Sequence, residues 1–582
     1  MSQAEQALIR NSAIRQQVDK ILAHRLFTRS ERMGRFLRLA VEWSLAGKAE
    51  DLKEYSIGVE VFDRKPSYDP RVDPIVRVEA RRLRSKLKAY YQGDGRADQV
   101  IIEFLTGGYA PHIRVGAESA GTDPATIAVL PFVDLSPTPE NEYFSDGLTE
   151  ELIHALTKLP GMRVVAWNTA AQMRERQQDI PAIRRQLKVG SILSGSVRIA
   201  GSSLRVRAQL VDTESGVYRW SETFDRQMQD VFAIQEEIAR AIVRTLRVQL
   251  GGAPEPRPLS RGRTSLAAYN WYLKGRYLWH RRSPEHLRQS VQCFENAIAA
   301  DDGSALAYAG LADAFSLLVD YGLMSPVEGI AAAETAAGRA ISLDPELAEP
   351  HVSLAFIRGT YEWQWEESER LYRRAIELNP GYATAHHWLG VDLYGVTGRF
   401  QEALAEIEIA AALDPLSSII LEGRGYVRML LGRYEEALEM YREILTFDPS
   451  FYKAYTSMGR ACAQMGKHAE ALELLQKGRS LAGDLPNILG ALGQVYGQAG
   501  DRQNACALLK ELEQLAETRY VPATTFAIVH LGLGNSAQAL TFLEQACEAR
   551  ESALTGLKVH PVFASLRGEP RYQKLLEHLR LA

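Results

Sequence analysis

Apolar and basic residues recur at helical spacing in one stretch near the start of the chain, residues 75–88. The apolar positions follow one another at steps of four, three and four, which places them on one face of an α-helix: Val76, Ala80, Leu83 and Leu87. Basic residues form a second row on another face: Arg77, Arg81, Arg84 and Lys88, with Arg82 and Lys86 alongside. The pattern predicts a helix that buries a narrow apolar stripe and presents a dense cationic face.

Further elements are predicted on both sides of this helix. Apolar residues at helical spacing favour helices over residues 4–27, 30–47 and 52–62, and an apolar run at residues 100–104 favours a strand. Thr106-Gly107-Gly108-Tyr109 is typical of a tight turn. Helix, helix, basic helix and hairpin is the order of a winged helix, whose basic helix enters the major groove of DNA.

The end of this segment resembles OmpR/PhoB-type winged-helix domains. The resemblance is carried by Arg82-Leu83-Arg84-Ser85-Lys86-Leu87, by the strand that follows, and by Gly107-Gly108-Tyr109. That family typically has an R-L-R-x-K-L helix and a G-x-G-Y wing. The resemblance implies that residues 1–115 bind double-stranded DNA, through the six basic residues of the helix: Arg77, Arg81, Arg82, Arg84, Lys86 and Lys88.

Two features depart from the family pattern. Residues 1–30 show no counterpart of its N-terminal sheet, and Leu105-Thr106 stands where a basic residue often precedes the glycines. A domain that keeps the fold without binding DNA therefore stays open as the alternative. Charge favours the DNA hypothesis, because residues 1–115 hold 21 Lys and Arg against 15 Asp and Glu, while the whole chain has a net charge of −4.

The hydrophobic pattern changes after residue 126 to that of an α/β domain. A linker is predicted over residues 116–126, followed by the domain at 127–250 and a second linker at 251–264. Strands are predicted at residues 127–132 and 162–167, helices at 147–159, 180–187 and 229–250, and a hairpin at 194–200 with 204–210. In the second arm of that hairpin, apolar and polar residues alternate with the period of a half-buried strand.

Nearly all of this segment resembles the TolB-like N-terminal domain. The stretches that carry the resemblance are residues 127–132, 142–152, 191–195, 220–226 and 232–237. The resemblance implies interaction or ligand sensing rather than a known reaction. Acid–base chemistry by Asp146, Glu150 and Glu151 is the competing interpretation, but carboxylates at a helix N-terminus also offset the helix dipole, and we favour that structural explanation.

Residues 265–582 carry an internal repeat. Its marker is a proline preceded by Asp or Asn, which recurs at a nearly constant interval: Asp344-Pro345, Asn379-Pro380, Asp414-Pro415 and Asp448-Pro449. A period of about 34 residues with two helices per unit identifies the tetratricopeptide repeat (TPR). The pattern predicts an α-solenoid with regular repeats over residues 348–481, less regular repeats on both sides, and a capping helix at residues 572–579.

Stacked repeats coil into a superhelix whose concave wall is a binding surface. Aligning the repeats places eight residues on that wall: His387, Val391, Tyr394, Glu422, Tyr426, Met429, Thr456 and Arg460. The alternative is that these are ordinary surface positions. A protein or peptide partner is the usual ligand of such a groove, and the sequence does not identify it.

Composition excludes several other classes of protein. The four cysteines, Cys293, Cys462, Cys506 and Cys547, are too far apart in sequence to indicate a zinc site or a disulfide framework. No apolar run approaches the length that spans a membrane, roughly 18 residues, so we expect a cytoplasmic protein. No phosphate-binding loop, nucleophile elbow or metalloprotease motif occurs, so we expect neither an enzyme nor a cofactor.

Together these patterns favour a multidomain α protein with an α/β centre. It would be a cytoplasmic transcription regulator that binds DNA through an N-terminal winged helix and binds a signal or partner through its TolB-like and TPR regions. The alternative is a TPR scaffold for protein–protein interaction that does not bind DNA. Both hypotheses leave oligomerisation open.

Overall fold

The computed structural model divides the chain into two compact units, Met1–Gly121 and Thr122–Ala582. It describes residues 14–115, 123–246 and 265–582. Gaps in the first of these ranges fall at 29, 46–47, 49–50, 66–67, 70–72, 93–94, 96–97, 99 and 105–108. Gaps in the second fall at 138–140, 158–161, 175–176 and 178. The predicted linker at 251–264 and the glycines of the predicted tight turn lie outside the described residues.

The first unit consists of helices followed by a β-hairpin. Its described elements are α1 (14–23), α2 (Glu31–Leu45), α3 (Glu54–Phe62), α4 (Ile75–Gln92), β1 (Val100–Phe104) and β2 (Pro111–Val115). The two strands pair antiparallel, with Ile102 opposite Ile113. In the described part of residues 1–30 the chain is helical, as the sequence predicts.

Helix α4 has the predicted two-faced character. Its apolar stripe is buried in the core of the unit, with at most 2% exposure at each position: Val76, Ala80, Leu83 and Leu87. Asp98 contacts the C-terminal turn of α4, where its carboxylate accepts a hydrogen bond from Tyr90 Oη at 2.6 Å. The same carboxylate accepts a hydrogen bond from Gln17 Nε2 at 2.6 Å and forms an ion pair with Lys20 at 2.5 Å. These contacts join α4 to α1 through one carboxylate.

The second unit begins with a mixed sheet covered by helices. In chain order its elements are β3 (Asp123–Val129), β4 (Val133–Asp134), α5 (Glu142–Thr157), β5 (Arg163–Val164), α6 (Trp167–Gln172), α7 (Ile180–Leu187), β6 (Val189–Ala200), β7 (Ser203–Asp212), β8 (Tyr218–Gln227) and α8 (Val231–Leu246). The strand order is β5-β3-β6-β7-β8, and β4 also pairs with β6. Pairing is parallel among β3, β4, β5 and β6 and antiparallel from β6 to β8.

Most predicted elements of this region are present, with shifted ends. The hairpin is confirmed, since β6 and β7 meet at a turn where Gly201 has the left-handed φ of 61° that glycine tolerates. The first strand begins at Asp123, inside the predicted linker, and α5 begins at Glu142 rather than Gly147. Strand β8 was not predicted, because its residues are mostly polar and exposed and show no buried alternation.

Residues 265–582, described without a gap, form eight helix pairs and a terminal helix. The pairs run from α9 (Leu266–His280) to α24 (Ser536–Glu548), and the terminal helix is α25 (Pro570–His578). The first helices of the pairs, after α9, are α11 (Ala305–Asp320), α13 (Glu349–Thr360), α15 (Ala383–Trp388), α17 (Ser418–Leu430), α19 (Tyr452–Gln464), α21 (Pro486–Gln498) and α23 (Ala523–Gly532). The second helices, before α24, are α10 (Pro284–Ala300), α12 (Pro326–Leu343), α14 (Trp365–Leu378), α16 (Phe400–Leu413), α18 (Tyr434–Phe447), α20 (His468–Ala482) and α22 (Arg502–Ala516).

The repeat array curls until its last elements touch its early ones. Trp363, which precedes α14, is buried in the same core as Tyr572 and Leu579 at the end of the chain. Trp365 Nε1 donates a hydrogen bond to the Leu579 carbonyl at 3.0 Å. The C-terminal segment therefore closes part of the superhelix instead of leaving a long open groove.

The mixed sheet and the first repeats share one hydrophobic core. Phe144 and Leu148 of α5 belong to the same buried cluster as Leu273 of α9 and Phe294 of α10. Gly147 allows α5 to approach α9, because a Cβ at this position would lie 2.6 Å from a methyl carbon of Leu273. Residues 123–246 and 265–582 are therefore packed as one body.

Candidate nucleic-acid interface and central cavity

Three arginines of α4 lie exposed on the surface of the first unit. The side chains of Arg77 and Arg82 are 53% and 67% exposed, and Arg81 is exposed between them. Two carboxylates contact this row: Glu54 lies 2.9 Å from Arg77, and Glu79 lies 2.7 Å from Arg82. Both arginines are more than half exposed, and ion pairs that solvent reaches are weak, about 0–1 kcal/mol. A phosphate could therefore compete with Glu54 and Glu79, whose side chains are 23% and 15% exposed.

Other predicted DNA contacts pack back on the domain. Arg84 is half-buried and donates from Nε to the Phe104 carbonyl of β1 at 3.2 Å. Lys86 Nζ donates to Ser30 Oγ at 2.9 Å and lies 5.8 Å from the centroid of the Phe27 ring. The side chain of Lys88 lies outside the described part of the structure. The arginine row available to a ligand is therefore Arg77, Arg81 and Arg82.

The hairpin is held beside this row. Tyr109 lies between β1 and β2, and its hydroxyl donates to Glu54 Oε1 at 2.5 Å. Because Glu54 also pairs with Arg77, one carboxylate connects α3, α4 and the hairpin. Burial, followed by the hydrogen bond to Glu54, raises the pKa of Tyr109 above its ordinary value. The contact fixes the angle between the exposed arginine row and the hairpin.

A second candidate site is the central cavity, which lies inside the curled repeat array and has a volume of about 390 Å³. The first helices of successive pairs line it, and Glu150, Trp167 and Asn168 of the mixed-sheet region line its other side. An adjoining space of about 300 Å³ extends toward the C-terminal segment and shares residues with it, including Asp320 and Tyr426. Each volume is in the range of small-molecule sites.

A buried ion cluster joins the mixed-sheet region to the array beside the cavity. Arg276 of α9 lies 2.6 Å from Glu150 of α5 and 3.4 Å from Asp313 of α11. Burial alone would raise the pKa of the Glu150 carboxyl, but Arg276 and His280, which lies 3.0 Å away, together outweigh it and bring the pKa below its ordinary value. Burial raises the pKa of Asp313 to about 6, because Arg276 compensates for it only partly.

This arrangement corrects the explanation given for the acidic residues of α5. Asp146, Glu150 and Glu151 lie within the helix and not at its N-terminus, so the helix dipole is the wrong reason for them. Glu150 binds Arg276 across the contact between regions, and Asp146 accepts a hydrogen bond from Arg174 at 2.5 Å. Burial raises the pKa of Asp146 to about 6.

A repeat-marker aspartate forms the second connection. Asp414 is buried, and its Oδ1 accepts hydrogen bonds from the backbone N–H of Thr169 at 2.9 Å and from Thr169 Oγ1 at 2.6 Å. Asn168 Nδ2 donates to the other carboxylate oxygen at 2.8 Å. In this repeat the aspartate that marks the period thus anchors the first turn of α6 beside the central cavity.

Acidic side chains gather on one part of the cavity wall. Asp320, at the end of α11, is exposed to solvent there, and Asp392 and Glu422 line the same wall. Glu422 accepts a hydrogen bond from Ser457 at 2.6 Å. Burial and the charges of Asp320 and Glu422 raise the pKa of Asp392 well above its ordinary value. The charges of Asp320 and Glu422 therefore both oppose ionisation of the Asp392 carboxyl.

Besides Arg276 of the ion cluster, three cations line the same cavity: Arg282, Lys453 and Arg460. Their contacts are mainly with neutral groups. Lys453 Nζ lies 3.9 Å from the centroid of Tyr321, Arg282 Cζ lies 3.7 Å from the centroid of Trp279, and Arg460 Nη2 donates to the Asn487 carbonyl at 3.3 Å. None of the three forms an ion pair within 4.0 Å of a carboxylate in the described part of the chain.

His387 contributes an imidazole to the wall, and Arg282 a left-handed backbone conformation. Burial lowers the pKa of His387 to about 3, so its imidazole is neutral at physiological pH. Arg282 has a left-handed φ of 54°, the conformation in which a helix commonly ends, and it directly follows the C-cap of α9. The wall therefore offers charges of both signs, a neutral imidazole and aromatic faces.

Seven of the eight residues predicted for the concave wall line the central cavity: His387, Val391, Glu422, Tyr426, Met429, Thr456 and Arg460. Tyr394 lies elsewhere. Its buried hydroxyl donates to Glu369 Oε1 at 2.9 Å and accepts from Arg373 Nη2 at 2.8 Å, both on α14. The cause is a π-helical segment, Leu389–Gly395, whose wider turns rotate later residues away from the face that an α-helix would give them.

Sequence reasoning missed six charged residues of the cavity: Arg276, Arg282, Asp320, Glu349, Asp392 and Lys453. Two of them, Asp320 and Arg282, lie at helix ends in the irregular first repeats, where the repeat alignment could not be extended. The available signal was that Asp392, Glu422 and Lys453 follow one another at intervals only slightly shorter than the repeat period. Such near-period spacing places side chains on adjacent helices of the same wall.

Metal-binding clusters and membrane-spanning helices are both absent from the described residues. No cluster of three or more His, Cys, Asp or Glu side chains there has the geometry to hold a metal ion. Within the same residues, no helix is long and apolar enough to cross a membrane.

Family models match two parts of the chain. Residues 123–241 match the second domain of HilA/YgeH-like transcriptional regulators. Tetratricopeptide repeat models match residues 391–450, 428–495 and 527–545, which confirms the predicted repeats. The first of these matches covers the mixed sheet with α5 to α8.

Curated relatives match parts of the chain. A protein of Rhizobium meliloti named "Putative adenylate cyclase 3" is 36% identical over 200 residues, which cover 34% of each chain. The transcriptional regulator HilA of Salmonella typhimurium is 22% identical over 293 residues, 50% of this chain and 51% of HilA. The chain thus spans about half or less of the length of these relatives.

Solved structures resemble the repeat array only distantly. A human IFIT1 dimer with PPP-AAAA is 15% identical, with 55% of this chain and 81% of that chain covered, at a TM-score of 0.38. Pseudomonas aeruginosa PilF is 20% identical, with 36% and 92% covered, at a TM-score of 0.27. At these scores neither structure supports a functional inference.

Proposed function

We propose that the chain is a non-catalytic transcription regulator that binds duplex DNA through its first unit. In this proposal residues 14–115 are a winged helix of the OmpR/PhoB type and α4 enters the major groove. The mixed-sheet region is TolB-like and, with the repeat array, receives a protein, peptide or small-molecule signal. The observation that carries the proposal is the exposed row of Arg77, Arg81 and Arg82 on α4. The apolar stripe on the opposite face of this helix is buried, and the hairpin lies beside the helix.

The match of residues 123–241 to a domain of transcriptional regulators supports the proposal independently. The match lies in the second unit. It therefore supports a role in transcription regulation but gives no evidence that the first unit contacts DNA. Arginine is the residue best suited to the role, because its planar fork can bind a guanine edge or a phosphate with two hydrogen bonds.

The proposal is tested by the salt dependence of duplex binding. If three arginines each neutralise one phosphate, the plot of log affinity against log salt concentration should have a slope of about −3. We expect Arg81→Ala with Arg82→Ala to weaken binding by at least about tenfold and to make the slope shallower by roughly 2. Fluorescence anisotropy of the intact protein with a labelled duplex measures both quantities.

A matched control removes two other exposed arginines of the same unit. Arg15 and Arg38 lie on α1 and α2, and their side chains are 53% and 61% exposed. Arg15→Ala with Arg38→Ala changes the net charge equally and should leave the slope nearly unchanged. Equal losses in both double variants would show that binding follows total charge and not α4, and would refute the placement of α4 in the groove.

The ion pairs of α4 favour a second candidate function. Glu54 and Glu79 already contact Arg77 and Arg82, as they would in a domain whose basic face is only structural. Under this alternative the chain is a TPR scaffold that binds a protein partner without DNA. Absence of duplex binding at low salt, together with capture of the same partner by wild type and by Arg81→Ala with Arg82→Ala, would favour the scaffold.

A further inference from the structure

We infer that the central cavity binds a small zwitterion, a free amino acid or a dipeptide. Its ammonium group would lie among Asp320, Asp392 and Glu422, and its carboxylate against Arg282 and Lys453. The inference rests on the proposed function in one respect, because it identifies the signal that the second unit would receive.

The acidic side of the cavity needs a cation. Asp392 makes no hydrogen bond or ion pair with any described residue, and the charges of Asp320 and Glu422 oppose its ionisation. Lys453 interacts electrostatically with all three carboxylates, yet no direct ion pair forms and its ammonium group lies over Tyr321. A primary ammonium group between the carboxylates would supply donors to all three and relieve their repulsion.

The charges of Arg282 and Lys453 both act on Asp320, but neither cation forms an ion pair with it within 4.0 Å. The Arg282 guanidinium stacks on Trp279 and has no carboxylate within 4.0 Å in the described chain. Stacking holds the planar guanidinium in one orientation. The backbone of Arg282 has a left-handed conformation. A ligand carboxylate is the group that such a fixed guanidinium binds with two hydrogen bonds.

A ligand with charges of one sign fits the wall less well. A polyamine would place cations against Arg282 and Lys453, and a dicarboxylate would place anions against Asp320 and Asp392. A long peptide has no continuous groove to follow, because the contact of Trp365 with Leu579 closes part of the superhelix and Glu150 and Trp167 lie across the other side.

Size and polarity agree with a small zwitterion. The cavity and its extension, about 390 and 300 Å³, are suited to small ligands. Phe356 and Tyr426 line both spaces, so the side chain of an amino acid would meet aromatic surface at their junction. His387, nine-tenths buried, faces the same space as a neutral group that can donate or accept.

Thermal unfolding of the full-length protein tests the inference. We expect at least one of the common amino acids or their dipeptides, at millimolar concentration, to raise the unfolding temperature by about 2 °C or more. The matched probes are the N-acetyl derivative and the methyl ester of the same compound, each of which lacks one charge. Both should lose most of the effect, as should putrescine and succinate.

Variants locate the site. By titration calorimetry, Asp392→Asn and Arg282→Gln should each weaken binding of the active compound by at least about tenfold. Glu422→Gln is a second acidic variant for the case that Asp392→Asn folds poorly. The control is Asp302→Asn, which removes an exposed carboxylate outside the cavity and should bind as wild type.

Three results would overturn the inference: no stabilisation by any zwitterion, equal stabilisation by the acetylated and esterified probes, or unchanged affinity in both cavity variants. Duplex binding is measured on the same samples. Lost zwitterion binding with intact DNA binding would refute only this inference, while the reverse pattern would refute only the proposed function.

Discussion

The contact between α5 and α9 offers a sharp test of whether the mixed-sheet region and the repeat array act as one body. Arg276 is 11% exposed and is the counter-charge for Glu150 and Asp313, whose side chains are 18% and 3% exposed. Replacing it by Met keeps an unbranched apolar stem, removes the guanidinium, and leaves Asp313 without an ion pair and Glu150 with only His280, at 3.0 Å, among the described residues.

The expected cost follows from these distances. At 2.6 and 3.4 Å, each attraction is of the order of 5 kcal/mol at an effective dielectric constant near 20, and desolvation of the ions offsets most of it. Removing one partner of such a cluster typically costs about 3–5 kcal/mol. We expect Arg276→Met to destabilise the α5–α9 contact by that amount.

Native-state hydrogen exchange measures this local free energy without assuming two-state unfolding of a large chain. Protection of amides in α5 and α9 should fall by at least about 100-fold, and Arg276→Met with Glu150→Gln should restore part of it. Arg281→Met is the control, because Arg281 lies next to the end of α9 and is exposed. Protection within about threefold of wild type in Arg276→Met would refute the coupling argument.

Three further predictions concern stability. The pKa of Asp146, raised to about 6 by burial, means that stability present below pH 4 is lost as pH rises through 6. Asp146→Asn should remove this loss and stabilise α5 at pH 7 by up to about 3 kcal/mol, measured by native-state hydrogen exchange across that range. Gly497→Ala should lower stability by about 1–3 kcal/mol, because the added Cβ would lie 2.5 Å from a backbone carbon. In the same assay Gly338→Ala should raise stability by roughly 0.5–1 kcal/mol, because its Cβ would meet nothing within 4 Å. Asp414→Ala should leave the buried donors of Thr169 without an acceptor, which costs about 1–3 kcal/mol for each donor. Helix α6 should then be cleaved faster in limited proteolysis, and an unchanged cleavage rate would argue against this anchor.

The sequence predicted the local elements well where one physical pattern decides them. The stripe of Val76, Ala80 and Leu83 required a helix with a buried face, and the structure has it. The repeat markers located four successive helix pairs, because a proline after the second helix of each ends that helix at a fixed point. Both signals depend on residues near one another in the chain.

Contacts between distant segments could not be predicted in the same way. Residues 251–264 have the composition of a linker between independent domains. Phe144 before them and Leu273 after them nevertheless belong to one hydrophobic core. Nothing local marks Asp414 as the partner of Thr169, which lies far away in the chain. Such partners are selected by the three-dimensional packing of whole elements.

The candidate sites show the same division. Helical spacing grouped six basic residues of α4, but only packing decides that Arg84 and Lys86 contact the domain while Arg81 stays exposed. Repeat spacing placed Tyr426 and Arg460 on the cavity wall, whereas the π-helical turn that rotates Tyr394 away has no recognised sequence signal.

The central claim is that this protein acts on DNA through α4, and mapping of chromosomal sites bound by the intact protein in its host tests it most directly. We predict discrete enriched sites near promoters for wild type and for Arg15→Ala with Arg38→Ala, and their loss for Arg81→Ala with Arg82→Ala at equal protein abundance. Absence of enriched sites for wild type, or an unchanged pattern in the α4 variant, would contradict the account.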